Sequence, residues 1–136
     1  MAKGNATITD LLNLIFQQTA LPGGWTGTLY LALHTADPGA AGTQLTSEAT
    51  YTSYARVAVA RTAGGWTISG QQSLNATLIQ FPTCTGGSNT ITHVSIGLAS
   101  SGAGQILYSG ALATSLPVAT TIQPQFAPSA LTTTEA

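Results

Sequence analysis

Between Thr28 and His34 the chain alternates, with Leu29, Leu31 and Leu33 on one side of an extended segment and Tyr30, Ala32 and His34 on the other. That period of two predicts a half-buried strand. Asp37-Pro38-Gly39 ends it, because Pro fixes φ and lacks an amide donor, Gly permits positive φ, and Asp can accept from its own downstream backbone. Alternation resumes at Tyr54-Ala55-Arg56-Val57-Ala58-Val59, where Ala55, Val57 and Val59 share a face and Arg56 stands among apolar neighbours. The polar stretch from Asp37 to Thr52 is long for a hairpin loop, and loops beyond about 12 to 15 residues are commonly functional or covered by a partner. It carries Glu48, which is expected to pair with Arg56 across the loop base, Asp37 being the other candidate acid.

Before the first strand, Thr7-Ile8-Thr9-Asp10 offers helix N-caps, and Leu11, Leu12, Leu14, Ile15 and Phe16 follow with both helical and continuous apolar spacing. One short helix is expected, ending before Leu21-Pro22-Gly23-Gly24 and packing its apolar face over one end of the β core. After Val59, Gly64-Gly65 is a hairpin signal between two β-prone runs. Leu74 to Phe81 reads as an imperfect strand stopped by Pro82. Thr90 to Leu98 places Val94, Ile96 and Leu98 on one face and His93 on the other. Ser100 to Gly104 forms a hairpin tip before the strand Gln105 to Gly110. Leu116 to Val118 and Thr121 to Phe126 add short strands, with Pro117 and Pro124 confined to edges or bulges. Ala130 to Thr134 closes the chain as a β-prone tail. About eight short strands separated by turn chemistry predict an all-β fold, an antiparallel β-sandwich or jelly-roll-like single domain with a short N-terminal helix. The boundaries read from sequence are a helical segment over 1–24 and the β-sandwich over 25–136.

Charge narrows the function. Only 5% of the 136 residues are charged, against roughly 25% in an ordinary soluble protein. Lys3, Arg56 and Arg61 are the whole basic complement, so nucleic-acid binding, which needs clustered cations, is not expected. With 43% hydrophobic residues the chain does not resemble a disordered one. No apolar run approaches the ~18 residues of a membrane span, so no membrane insertion is expected. Asp10 and Asn13 interrupt the apolar patch near the N-terminus and no A-x-A site follows closely, so a cleaved leader is not expected.

Residues with chemistry in them are few. His34, Asp37 and one of many serines suggest a hydrolytic triad by composition alone, but no Gly-x-Ser-x-Gly elbow accompanies them. His34 is better read as a hydrogen-bonding residue at a strand end. His93 and Cys84 are too widely spaced from it for a zinc signature, and Cys84, the lone cysteine, is expected to be a buried, inert thiol. Asp37 and Glu48 are the available pair for a glycan hydrolase. Asn5-Ala6-Thr7 and Asn75-Ala76-Thr77 match a glycosylation sequon that any Thr-rich chain produces by chance. Tyr30, Tyr51, Tyr54 and Trp66 suggest a sugar-binding platform, although packing inside a sandwich or a subunit interface is the favoured reading. The expectation is a protein that is not an enzyme, with no catalytic, cofactor-binding or metal-ligating residues and no cofactor.

Taken together, Leu29-Tyr30-Leu31-Ala32-Leu33-His34-Thr35-Ala36-Asp37-Pro38, Tyr54-Ala55-Arg56-Val57, Ile79-Gln80-Phe81-Pro82, Thr92-His93-Val94-Ser95-Ile96-Gly97 and Ile106-Leu107-Tyr108-Ser109-Gly110-Ala111-Leu112 resemble a family of small tailed-bacteriophage virion proteins. The resemblance continues from Phe126 to Leu131. Members are often labelled tail fibre proteins, and similar β-sandwich modules serve as cement or decoration proteins on phage heads. Pro128-Ser129 departs from the pattern, since relatives tend to carry a small residue and Gly there. The resemblance implies a structural protein with no catalytic residues. It implies a capsid cement or decoration protein on the outer surface of the phage head, made in the host cytoplasm. Its expected partners are the major capsid protein and copies of itself, as an oligomer at a symmetry axis. The alternative is a tail fibre or adhesin component that binds the host surface.

Overall fold

The computed structural model describes residues 1–22, 25 and 27–135. Among the described residues the chain is all-β apart from one helix, and every strand pairing is antiparallel. β1 (Ala2–Lys3) leads into α1 (Asn5–Gln17), followed by β2 (Thr28–His34), β3 (Val57–Ala60), β4 (Trp66–Ser69), β5 (Gln72–Asn75) and β6 (Ile79–Gln80). Then come the long β7 (Asn89–Gly97) and β8 (Ile106–Val118), and the short β9 (Gln125–Phe126) and β10 (Thr132–Thr134). The largest sheet has the order β1-β8-β7-β2-β3, beside a sheet β10-β5-β4 and a pair β6-β9. Leu31, Leu33, Val59, Val94 and Ile96 from the large sheet meet Trp66, Ile79, Phe81 and Leu131 from the smaller sheets and their connections in one buried cluster. Burial of this contiguous apolar cluster is the main force joining the layers.

β2 lies between β7 and the edge strand β3 in the large sheet, with Leu31 opposite Val57 on one side and Ile96 on the other. Its second half is buried on both faces, including Ala32 and His34. The cause is the loop from Asp37 to Thr52, which folds back over the sheet. Gln44 is fully buried there, donating Nε2–H to the Tyr30 carbonyl at 3.0 Å and accepting the Ala99 amide on Oε1 at 3.0 Å. Gly97 and Gly104 make room for it, because a Cβ at either would collide with the Gln44 side chain.

Several elements differ from expectation. Gly64-Gly65 does not join a hairpin: it carries the chain from β3 in the large sheet to β4 in the three-stranded one. A Cβ at Gly65 would collide with the Ala60 carbonyl, which is why glycine is needed at this crossing. The actual hairpin joins β4 to β5 through Gly70-Gln71, with Ser69 opposite Gln72 and Gly70 at φ 59. Arg56 lies just outside β3, and the expected strand Leu74 to Phe81 is broken into β5 and β6. β8 absorbs Leu116-Pro117-Val118 into one 13-residue strand. Pro117 is tolerated because β1 reaches only Tyr108 and Ser109, leaving β8 with one neighbour at its far end.

The helix begins at Asn5, ahead of the expected caps, and Gly4 provides no side-chain cap. Tertiary partners satisfy the first donors instead: the Gly4 amide donates to Leu107 O at 3.1 Å and the Asn5 amide to Ala40 O at 2.8 Å. Gln18 ends the helix in the left-handed region at φ 56. Gly23 and Gly24, part of the expected stop, lie outside the described residues.

Candidate interaction surface

Both ring nitrogens of His34 are engaged. Nδ1 donates to the Thr46 carbonyl at 2.8 Å and Nε2 accepts from the Ser95 hydroxyl at 2.7 Å. That pattern is the neutral imidazole, and burial holds its pKa below the ordinary 6.5. A serine bonded to a histidine is the start of a hydrolytic constellation. Here, however, a main-chain carbonyl stands where an orienting acid would be, and neither side chain has any exposed surface. The expected triad member Asp37 accepts the Gly39 amide at 2.8 Å, in a turn. Asp37, His93 and Ser109 do line a common cavity of about 690 Å³. No hydrogen bond links those three described side chains, and His93 Nδ1 is bonded to Thr92 Oγ1 at 2.8 Å. Cys84 is buried, with its thiol donating to Gly86 O at 3.2 Å. Among the described residues no group of three His, Cys, Asp or Glu converges.

The expected acid–base pair does form, and it is more extensive than a surface bridge. Arg56 grips Glu48 in bidentate fashion, Nε to Oε1 at 2.6 Å and an Nη to Oε2 at 2.8 Å. Its remaining donors reach the carbonyls of Ala99 at 2.9 Å and Gly102 at 2.6 Å. Tyr54 completes the knot, donating to Glu48 at 2.9 Å while accepting the Leu33 amide at 3.1 Å. The Arg56 side chain is only 2% exposed. One ion pair therefore ties the long loop, the approach to β3 and the β7–β8 hairpin together.

The aromatic rings sit inside. Tyr51 meets Tyr54 edge-on at 5.4 Å, Tyr54 stacks on Phe81 at 6.4 Å, and Phe81 meets Phe126 edge-on at 6.4 Å. Burial pushes the Tyr51 phenol up to about 12 and Tyr54 higher still. Tyr51, Tyr54 and Trp66 are thus core residues, and no platform of the four expected rings faces solvent. An apolar cleft of about 500 Å³ opens between the two larger sheets, with Trp66, Ile68, Leu107 and Tyr108 in its walls.

What does face solvent is α1. Only Thr7 is buried, its hydroxyl donating to Ile106 O at 2.9 Å. Asp10 accepts from Trp25 Nε1 and from Gln105 Nε2. Beyond this first anchorage Leu12, Ile15 and Phe16 are 50%, 67% and 78% exposed. The expectation that the helix packs its apolar face over its own β core is not met: the tertiary bonds made by its first turns are polar, and apart from the half-buried Leu11 its apolar residues are left largely exposed. The sequence did hold a signal of this, because five apolar residues within Leu11 to Phe16 cover more of a helix than one core-facing stripe requires.

No curated protein matches the chain. Residues 2–134 match a family model described as podophage GP4 fiber I protein gp80. That span runs from β1 to β10 and includes the helix, the loop clamp and both large sheets. The chain belongs to this family of phage virion structural proteins.

Proposed function

We propose that the protein is a non-enzymatic building block of the phage tail fibre, working through its surfaces and through copies of itself. The observation that carries this reading is the family match, which extends over residues 2–134 and bears a fibre description. A match of that extent relates the whole sandwich, not a fragment, to the fibre protein. The scaffold suits such a role: its polar chemistry is spent internally on the Arg56–Glu48 clamp and the sealed Ser95–His34 pair, leaving a rigid body with an apolar helix outside. The head-cement reading, with the major capsid protein as partner, has no comparable support. In the fibre reading the partners are tail proteins.

The test is location. Antibody raised against the purified protein is applied to intact virions and to separated heads and tails, then imaged by negative-stain electron microscopy. Decoration of the tail is the expected result. Decoration of the head shell alone would reject the fibre reading and restore the cement role.

A further inference from the structure

We infer that α1 is a self-association element, pairing with α1 of a second copy of this chain. The reasoning starts from helix stability. An isolated helix of this length is marginal in water, and helices in proteins draw most of their stability from burying an apolar face. α1 has 13 residues and buries only Thr7. Ile8, Leu11, Leu12 and Ile15 follow i, i+3, i+4, i+7 and form one stripe, with Phe16 beside it. The helix is therefore held at its first turns and lacks cover on the side that carries its apolar residues.

The stripe itself favours a second copy as its cover. The exposed residues repeat at helical spacing, Ile8, Leu12 and Ile15 at i, i+4 and i+7 with Phe16 beside them, while Leu11 is half-buried toward the side that carries Thr7. Such a stripe is complementary to itself. Charge does not oppose the pairing: Asp10 is the helix's one ionised side chain, and it is bonded to Trp25 and Gln105 on the sheet side. The area is sufficient as well. Ile8, Leu12, Ile15 and Phe16, each 40% to 78% exposed, present on the order of 500 Å² of apolar surface, at the upper end for a monomer's largest patch. Two copies would together remove about 1,000 Å² from water, the size at which interfaces become specific. The inference holds for a tail or a head location alike.

Sedimentation velocity of the full chain from about 1 to 100 µM tests it, with Leu12→Asp/Ile15→Asp as the disrupting variant. The wild type is expected to associate and the variant to sediment as a monomer, with at least tenfold weaker association. The near-UV circular dichroism of the buried Tyr and Trp residues should be unchanged, since neither position touches the core. Because the charged variant could unfold the helix, the contact is tested independently by oxidation of Leu12→Cys, midway along the stripe, and Gln17→Cys, on the opposite side of the helix; Cys84, being buried, stays out of the reaction. Rapid formation of a covalent dimer by Leu12→Cys, and not by the off-stripe Gln17→Cys, is expected. A wild type that remains monomeric throughout, an oligomer that survives the double aspartate variant, or equal cross-linking at both positions would overturn the inference.

Discussion

His34 couples the fold to pH through a single proton. Its Nδ1–H is committed to Thr46 and its Nε2 lone pair to Ser95, so the folded chain holds the ring neutral and burial keeps its pKa below 6.5. The unfolded chain takes up a proton at the ordinary value. Stability is therefore complete above pH 6.5 and declines as pH falls below it, by at most ~1.4 kcal/mol per pH unit for one proton. Glu135 acts in a lower window: the Lys3 ammonium and then the Tyr108 hydroxyl hold its carboxyl below 4.5, so its contribution is lost only under stronger acid. Thermal unfolding between pH 8 and pH 5 should show a falling midpoint for the wild type and a flatter profile for His34→Asn. An identical slope in both would remove His34 from the account. From sequence, His34 could be assigned a hydrogen-bonding role but not its partners, because Ser95 is 61 residues away and meets it only through the β2–β7 register. Asn75 teaches the same lesson: it matches a sequon, yet it is fully buried, donating to Thr77 O and Ala127 O and accepting the Leu131 amide. The turn it braces contains Ser129 at φ 64, the left-handed region where glycine is at ease.

At the scale of elements, the long loop is the part whose character was legible and whose placement was not. Its length and its Glu48 marked it as covered or functional, and Arg56 was a recognisable partner because cations are so scarce. That the loop covers the back of its own sheet follows from Gln44, Gly97 and Gly104, three positions brought together only by tertiary structure. Gly64-Gly65 misled for a related reason: glycine marks a change of direction, while the choice between returning in one sheet and crossing to another is made by Trp66 entering the core. The clamp yields a quantitative expectation. Removing one partner of a buried ion pair costs roughly 3–5 kcal/mol because the other charge is left uncompensated. The Arg56 side chain is 2% exposed and that of Glu48 12%, so stranding the guanidinium is the worse outcome. Glu48→Gln should therefore destabilise more than Arg56→Met, and the double variant should cost less than the sum of the two. Urea unfolding of the three proteins measures this. Additive or negligible effects would show that the bridge does not hold the loop to the hairpin.

Across the whole molecule, every charged side chain has an internal engagement. Lys3 bonds Glu135 beside Tyr108, Arg56 bonds Glu48, and Arg61 lies 5.7 Å from the Trp25 ring centre while donating to the Trp25 carbonyl. Asp10 and Asp37 accept hydrogen bonds from their own chain. With a formal charge of −1 and all three cations so placed, the surface offers a partner little electrostatic attraction. Retention on the virion must then draw on apolar burial, hydrogen bonds and the unpaired far edge of β8, contributions that salt screens weakly. At ~1 M ionic strength the Debye length falls to about 3 Å and a complex held by surface charge pairs comes apart. Virions washed in 0.05 M and in 1 M NaCl, pelleted and probed for this protein should therefore retain equal amounts. Ammonium sulfate, which strengthens apolar association, should not release it either, whereas urea, which weakens it, should. Loss in 1 M NaCl with retention in urea would reverse the assignment and place ionic contacts at the joint.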